Sequence, residues 1–254
     1  MTYCVGMMLD KGLVLMSDTR TNSGVDNISI FRKMNSWSVP GERIISVMTA
    51  GNLATTQGVI SQLEERNKAV ADRHNSLLEA ESMFQVATIV GKLLRETIAI
   101  CRNENGEEAS TPSFTASMIV AGQIKGMEPR LFLVYPEGNF IEAGFDTPFF
   151  QIGETKYGRP IILRGYHRDM SFEDAVKLLM VSFDSTIKAN LSVGLPLDLM
   201  VLERDNFEPT HRRRIEVDDP YYRAISVGWS ESLKLAFESL PDYSFYQAKA
   251  APAA

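Results

Sequence analysis

Short apolar runs of strand length open the chain. Thr2–Leu9 and Leu13–Asp18 are two such runs, and the turn signal Asp10-Lys11-Gly12 separates them. Together they predict a β-hairpin. Further β structure is predicted within Ile28–Val39, and Arg43–Thr49 is predicted to be a strand. The N-terminal part of the chain is therefore predicted to be mainly β.

The period of the apolar positions then changes from two to that of a helix. Apolar residues recur at helical spacing from Leu53 to about Ala71, and again, more strongly, over Met83–Ile98. Asn103–Pro112 is polar and is predicted to be a loop. Four more strands are predicted after it, at Phe114–Ala121, Arg130–Tyr135, Phe140–Ala143 and Phe149–Ile152.

Helical patterns return in the last hundred residues. A short helix is predicted after Gly153, followed by a clear helix over Ser171–Ala189, with Ser171 as its N-cap. Pro196–Glu203 is predicted to be a strand, and Ser230–Leu240 to be helical.

This order of elements indicates the fold class. Antiparallel strands that flank two groups of helices suit an α+β fold, either a four-layer αββα sandwich or an ordinary two-layer arrangement. Periodicity alone does not separate these two. No internal repeat or linker is visible, so residues 1–254 are predicted to form one domain, with a disordered Ala/Pro-rich tail over Gln247–Ala254.

Composition excludes several classes of protein. With 26 basic and 32 acidic residues the net charge is −6, which disfavours a nucleic-acid-binding protein. Two cysteines and three histidines are too few for a disulfide framework or a zinc module, so no metal and no cofactor are expected. No signal peptide and no membrane-spanning stretch is apparent, and we expect a cytoplasmic protein that does not bind membranes.

Candidate chemistry begins at Thr2. Methionine is normally removed before a small second residue, so Thr2 would become the N-terminus. Its hydroxyl would then share a residue with a free α-amine whose pKa is about 7.7–8.0, and that amine could accept the hydroxyl proton. By itself the signal is weak, because threonine is common at this position.

Asp18 and Lys33 could complete such a site. If Leu9 pairs with Leu13 across a three-residue turn, Thr2 and Asp18 lie on one face, one diagonal step apart; a two-residue loop would place them on opposite faces. A lysine beside the nucleophile lowers the pKa of the hydroxyl and the amine, and Lys33 lies in the next predicted strand. Considered alone, Asp18 is better explained as a turn residue and Lys33 as a solvated edge lysine.

A family resemblance changes this balance. Thr2, Asp18-Thr19-Arg20, Gly24, Lys33 and Thr49-Ala50-Gly51 resemble the motifs of the proteasome β-subunit family. Runs such as Thr-Tyr-Cys-Val-Gly-Met and Ala-Gly-Asn-Leu-Ala-Thr-Thr-Gln resemble, more narrowly, the Anbu branch of bacterial proteasome homologues. The match is specific over residues 2–58, and further along it depends on the order and length of the elements.

The resemblance implies a fold, an activity and residue roles. It implies an αββα sandwich of the N-terminal-nucleophile hydrolase type and a threonine peptidase or amidase that assembles into a large homo-oligomer. Thr2 would be the nucleophile, Asp18 and Lys33 would tune it, and the backbone N–H of Gly51 would bind the oxyanion. Thr49 and Ala50 would line the bound peptide or amide substrate.

The chain departs from the wider family pattern around the amine. Gly153-Glu154 stands where proteasome β-subunits carry Gly-Ser. In Lys188-Ala189-Asn190-Leu191-Ser192-Val193-Gly194, Ser192 matches the family serine, but Ala189 replaces an aspartate. Arg20, Ser192 and Glu154 are therefore only candidate supporting residues, and Glu154 could compensate electrostatically or be a surface residue.

Other features have simpler interpretations. Cys4 is expected to be a core residue, and His211-Arg212-Arg213-Arg214 a solvated or intersubunit patch. A non-catalytic scaffold subunit of a ring or spiral is the alternative function. The sequence leaves open the substrate, the choice between ring and spiral, and the need for an ATP-dependent partner, for which no docking motif is visible.

Overall fold

The computed structural model describes residues 2–22, 28–68, 76–105, 114–243 and 245. The predicted tail and Gly24 lie outside the described residues. The strands are β1 (Tyr3–Leu9), β2 (Gly12–Asp18), β3 (Arg20–Asn22), β4 (Ile28–Ile30), β5 (Met34–Val39), β6 (Arg43–Gly51), β7 (Ala116–Ile124), β8 (Arg130–Val134), β9 (Phe140–Glu142), β10 (Phe149–Gly153), β11 (Leu197–Glu203) and β12 (His211–Ile215). The helices are α1 (Leu53–Lys68), α2 (Met83–Asn105), α3 (Arg159–Gly165), α4 (Phe172–Ala189) and α5 (Pro220–Glu238).

Two five-stranded antiparallel sheets form the centre of the fold. One has the order β10-β1-β2-β11-β12 and the other the order β5-β6-β7-β8-β9, while β3 and β4 form a separate two-stranded ribbon. The apolar face of α2 packs on β7 and β8, and α4 packs on β1 and β2.

Three apolar clusters show how the layers stack. Cys4, Leu15 and Met48 belong to a cluster between the two sheets. A second cluster joins α1 and α2 to the outer face of one sheet, and a third joins α3, α4 and α5 to the outer face of the other. Period-two alternation along β1 and β2 feeds the central cluster and one outer cluster at once. The four-layer αββα prediction is confirmed, and the two-layer alternative is wrong.

The predicted register of the first hairpin is wrong. Leu9 pairs with Gly12 and Cys4 pairs with Ser17, so the loop has two residues, Asp10 and Lys11. Gly12 is a strand residue with φ 146°, and a Cβ there would lie 2.0 Å from the carbonyl oxygen of Leu202. The glycine therefore permits the close approach of β11 and does not form the turn.

Some element boundaries also differ from the prediction. Lys33 lies in the extended connection 31–33 between β4 and β5 and not in a strand. Helix α2 continues to Asn105, so residues 103–105 are not loop. Helix α5 starts ten residues earlier than predicted because Asp219 caps it, accepting from the N–H of Tyr222 at 2.9 Å, with Pro220 in its first turn.

The strand β12 was not predicted. Its sequence, His-Arg-Arg-Arg-Ile, has no apolar alternation, but β12 is an edge strand, where charged residues keep their side chains in water. The basic cluster is thus an ordered strand. Cys4 is fully buried, as expected for a core residue. None of the described helices is long and apolar enough to cross a membrane.

Candidate active site

A cleft of about 1200 Å³ is lined by five of the residues singled out from the sequence, namely Thr2, Lys33, Thr49, Ala50 and Gly51. Thr2 lies at its floor, immediately before β1, and Lys33 reaches it from the 31–33 connection. Thr49, Ala50 and Gly51, at the end of β6, form one wall. The start of α1 closes the cleft, with Leu53, Ala54, Thr56, Gln57, Ile60 and Ser61 among its lining residues.

A buried ion pair lies beneath Thr2. The Nζ of Lys33 donates to Oδ1 of Asp18 at 2.7 Å and to the carbonyl oxygen of Arg20 at 2.5 Å. The Lys33 and Asp18 side chains are 6% and 0% exposed. Two acceptors from two elements hold the ammonium in place, and its hydrogen bonds to a carboxylate and a carbonyl satisfy much of its hydrogen-bonding capacity.

Asp18 also fixes the backbone next to Thr2. Its Oδ1 accepts from the N–H of Tyr3 at 3.0 Å, and Tyr3 is the residue joined to Thr2. The expected diagonal contact between the side chains of Thr2 and Asp18 is therefore replaced by a contact to the main chain, consistent with the two-residue hairpin loop. Asp18 reaches the site because it ends β2, where its side chain contacts Lys33 from the 31–33 connection.

Burial sets the ionisation of Asp18. Loss of solvent raises the pKa of this carboxyl above its usual value, and the Lys33 ammonium and the N–H groups of Tyr3 and Gly194 act in the opposite direction. Burial also raises the pKa of the Cys4 thiol, whose Sγ contacts the Thr49 carbonyl oxygen at 3.8 Å. Cys4 is a protonated core thiol and unsuited to act as a nucleophile.

The wall formed by β6 provides a backbone donor. The N–H of Thr49 donates to the carbonyl oxygen of Lys33 at 3.0 Å, toward the β5 edge. Alternate N–H groups of a strand point to the same side, so the N–H of Gly51 points to that edge as well. Strand β5 begins at Met34, opposite Met48, and the N–H of Gly51 therefore lies beyond its end, at the cleft.

Glu154 lies against Thr2 and is not a surface residue. It is 6% exposed, and its N–H donates to the carbonyl oxygen of Thr2 at 2.6 Å. Its Oε2 accepts from Nδ2 of Asn190, and its Oε1 accepts from the N–H of Lys156, each at 3.0 Å. The segment after β10 thus fixes the main chain of Thr2 and places a buried carboxylate nearby.

The other two candidate supporting residues occupy less direct positions. Arg20 binds Lys33 through its carbonyl, while its guanidinium donates to the carbonyl oxygen of Leu191 at 3.1 Å. Ser192 is half-buried on the same loop as Leu191 and does not line the cleft. Among the described residues, no three His, Cys, Asp or Glu side chains lie together as a metal site.

Two contributors were not found from the sequence. Tyr3 donates its N–H to Asp18, and Asn190 donates to Glu154. A main-chain donor leaves no trace in residue type, so nothing in the sequence could have identified Tyr3. Asn190 falls inside the segment that departs from the family pattern, and that departure was the one available signal.

Known proteins match most of this chain. The family model described as Proteasome subunit matches residues 2–201. The proteasome subunit beta of Methanopyrus kandleri is 24% identical over 209 residues, which cover 80% of this chain and 88% of that protein.

Solved structures are more similar. The structure of Anbu (ancestral beta-subunit) from Yersinia bercovieri is 44% identical with a TM-score of 0.88, covering 96% of this chain and 100% of that one. The structure described as the helical assembly of the Anbu complex from Pseudomonas aeruginosa is 45% identical with a TM-score of 0.89, covering 96% and 99%. The chain therefore belongs to the proteasome subunit family and, within it, to the Anbu proteins.

Proposed function

We propose that the chain is a self-assembling N-terminal threonine hydrolase that cleaves peptide or amide bonds with Thr2 after Met1 is removed. The observation that carries this proposal is the buried Lys33–Asp18 pair, which lies under a cleft lined by both Thr2 and Gly51. A solvated edge lysine would not be held by two acceptors in the protein interior. A buried pair of this kind beside a hydroxyl suits electrostatic tuning of a nucleophile.

The first half-reaction forms an ester on Thr2. The α-amine accepts the Oγ proton while Oγ bonds to the substrate carbonyl carbon, and the carbonyl electron pair moves to its oxygen. The N–H of Gly51 stabilises this oxyanion. When the carbonyl re-forms, the C–N bond breaks, and the Thr2 ammonium returns its proton to the departing amine.

The second half-reaction releases the acyl group. Water attacks the ester carbonyl, and the neutral α-amine accepts a proton from it. The second tetrahedral intermediate collapses, the C–Oγ bond breaks, and Oγ regains a proton from the ammonium. The carboxylic acid product leaves, and Thr2 is restored without histidine, thiol or metal.

Lys33 and Glu154 have different roles in this scheme. The Lys33 ammonium lowers the pKa of the Thr2 hydroxyl and amine, while Asp18 keeps it in position. Glu154 is a positioning residue, because its N–H fixes the carbonyl of Thr2. Thr49 and Ala50 line the substrate on the β6 wall.

Self-association is supported by an apolar surface at the C-terminal end. Large apolar side chains are exposed along the second half of α5 and beyond it, namely Leu233, Leu235, Phe237, Leu240, Tyr243 and Phe245. This many exposed large apolar side chains in one segment is typical of an interaction site. Together with the helical assembly described for the Pseudomonas aeruginosa relative, it supports a homo-oligomer.

Replacing Thr2 by alanine tests the proposed function. Thr2→Ala removes Oγ but keeps an N-terminal amine, so turnover of peptide amides should fall by about 10⁴-fold or more, to the level of an enzyme without its nucleophile. Thr2→Ser keeps a hydroxyl and should retain measurable turnover. The release of a fluorescent amine from peptide amides measures both. Undiminished turnover by Thr2→Ala would refute the proposal and favour a scaffold.

A further inference from the structure

A second, smaller cavity opens beside the cleft and is lined mainly by arginine. It measures about 230 Å³ and is lined by Arg32, Met34, Asp198, Leu199, Arg212, Arg213 and Arg214, and we refer to it as the basic cavity. Its walls come from the 31–33 connection, the start of β5, β11 and β12. From the sequence, the basic cluster in β12 is expected to be a solvated or intersubunit patch. In the structure, the arginines of this strand line the basic cavity.

Only part of this positive charge is neutralised. Arg214 makes a bidentate pair with Asp198, at 2.8 and 2.9 Å, and Arg213 pairs with Asp219. Neither Arg32 nor Arg212 forms an ion pair with any residue in the described part of the chain. Both side chains belong to exposed residues, so their guanidinium groups are available to an anion.

The basic cavity and the proposed active site share one lining residue. Arg32 lines both the basic cavity and the cleft that contains Thr2, and it directly precedes Lys33. None of the described residues that line the cleft is aspartate or glutamate. In a chain of net charge −6, this is a local region of positive charge at the place where substrate would bind.

We propose that Arg32 and Arg212 bind an anionic group of the substrate, so that the preferred substrates carry a carboxylate close to the scissile peptide or amide bond. This inference rests on the proposed function and specifies its substrate class. Guanidinium groups form short, charge-assisted and often bidentate hydrogen bonds with carboxylates. The neutral amide of glutamine matches glutamate in shape but gains no such bond, so the preference should separate the two side chains.

Binding to an inactive variant tests the inference without requiring turnover. Thr2→Ala protein is titrated with two capped, dye-labelled pentapeptides that differ only in a central glutamate or glutamine, and fluorescence anisotropy gives each Kd. At low ionic strength the glutamate peptide should bind at least about tenfold more tightly, in line with the net strength of a hydrogen bond between charged groups. This ratio should shrink when salt is added.

Single substitutions locate the preference. Arg32→Gln and Arg212→Gln, each in the Thr2→Ala background, should bring the ratio of the two Kd values close to one. Arg223→Gln, at an exposed arginine on α5, is the matched control and should leave the ratio unchanged.

Three results would overturn the inference. They are equal affinity for the two peptides, a preference that survives both substitutions, or substitutions that change the oligomeric state but not the ratio, which would assign the basic cavity to a subunit contact. A failure of the proposed function is seen separately, as turnover that persists in Thr2→Ala.

Discussion

Lys33→Met should lower turnover by about 10²–10³-fold, the range found when one preorganised electrostatic contact is removed from an active site. Methionine is close to lysine in length, so it fills the same space but removes the charge that lowers the pKa of the Thr2 hydroxyl and amine. Oδ1 of Asp18 and the carbonyl oxygen of Arg20 lose a shared donor at the same time.

The same substitution should lower the free energy of unfolding by about 3–5 kcal/mol at neutral pH, because it leaves a buried carboxylate unpaired. The pKa of Asp18, already raised by burial, should rise further once Lys33 no longer opposes that shift. A raised pKa in the folded state means that protonation favours folding. The deficit should therefore shrink as the pH falls and Asp18 takes up a proton, as measured by urea denaturation at several pH values.

Two control variants separate stability from catalysis. The double variant Asp18→Asn/Lys33→Met removes both charges, so it should recover much of the lost stability and none of the lost turnover. Lys177→Met breaks an ion pair of similar length, 2.6 Å to Asp174, on the exposed surface of α4, and should alter neither quantity appreciably. Full turnover in Lys33→Met would show that the buried pair only supports the fold.

Gly153→Ala should reduce turnover by about 100-fold or more, because displacement of a reacting group by about 1 Å costs that much. Gly153 has φ 83°, and a Cβ there would lie 2.0 Å from the carbonyl oxygen of Thr2. To make room, Thr2 would have to move away from β10, and the hydrogen bond from the Glu154 N–H, now 2.6 Å, would be lost.

Gly126→Ala is the matched control. Gly126 has a nearly identical φ of 80°, but a Cβ at this position would have no described atom of another residue, its chain neighbours aside, within 4 Å. Both substitutions carry the left-handed backbone penalty of about 1–2 kcal/mol, and only Gly153→Ala adds the clash with Thr2. Turnover and thermal denaturation of the two proteins should be compared, and equal turnover would argue that the position of Thr2 is unimportant.

The sequence predicts the layered fold well because central strands buried on both faces appear as short apolar runs, whereas helices bury one face. The run Arg43–Thr49 and the helical face over Met83–Ile98 correspond to β6 and α2. Strand β12 could not be predicted from apolar positions, because its stability comes from pairing with β11 and from ion pairs.

In the candidate site, the residues that line the cleft could be predicted from the sequence, but their contacts could not. Thr2, Lys33 and Gly51 line one cleft, as the motif positions suggest. The contact between Asp18 and Thr2 was predicted with the wrong hairpin register. The sequence alone does not distinguish a glycine that permits close packing, as Gly12 does, from a glycine that forms a turn. The contacts of Tyr3 and Asn190 depend on main-chain positions and on a loop, neither of which follows from local periodicity.

The most direct test of the central claim is the intact mass of the purified protein before and after treatment with a peptide electrophile that reacts with the hydroxyl and amine of an N-terminal threonine. We expect a chain lacking Met1, one adduct per chain, and peptide mapping that places it on Thr2, with no adduct on Thr2→Ala. A chain that retains Met1 in full and forms no adduct would contradict the account.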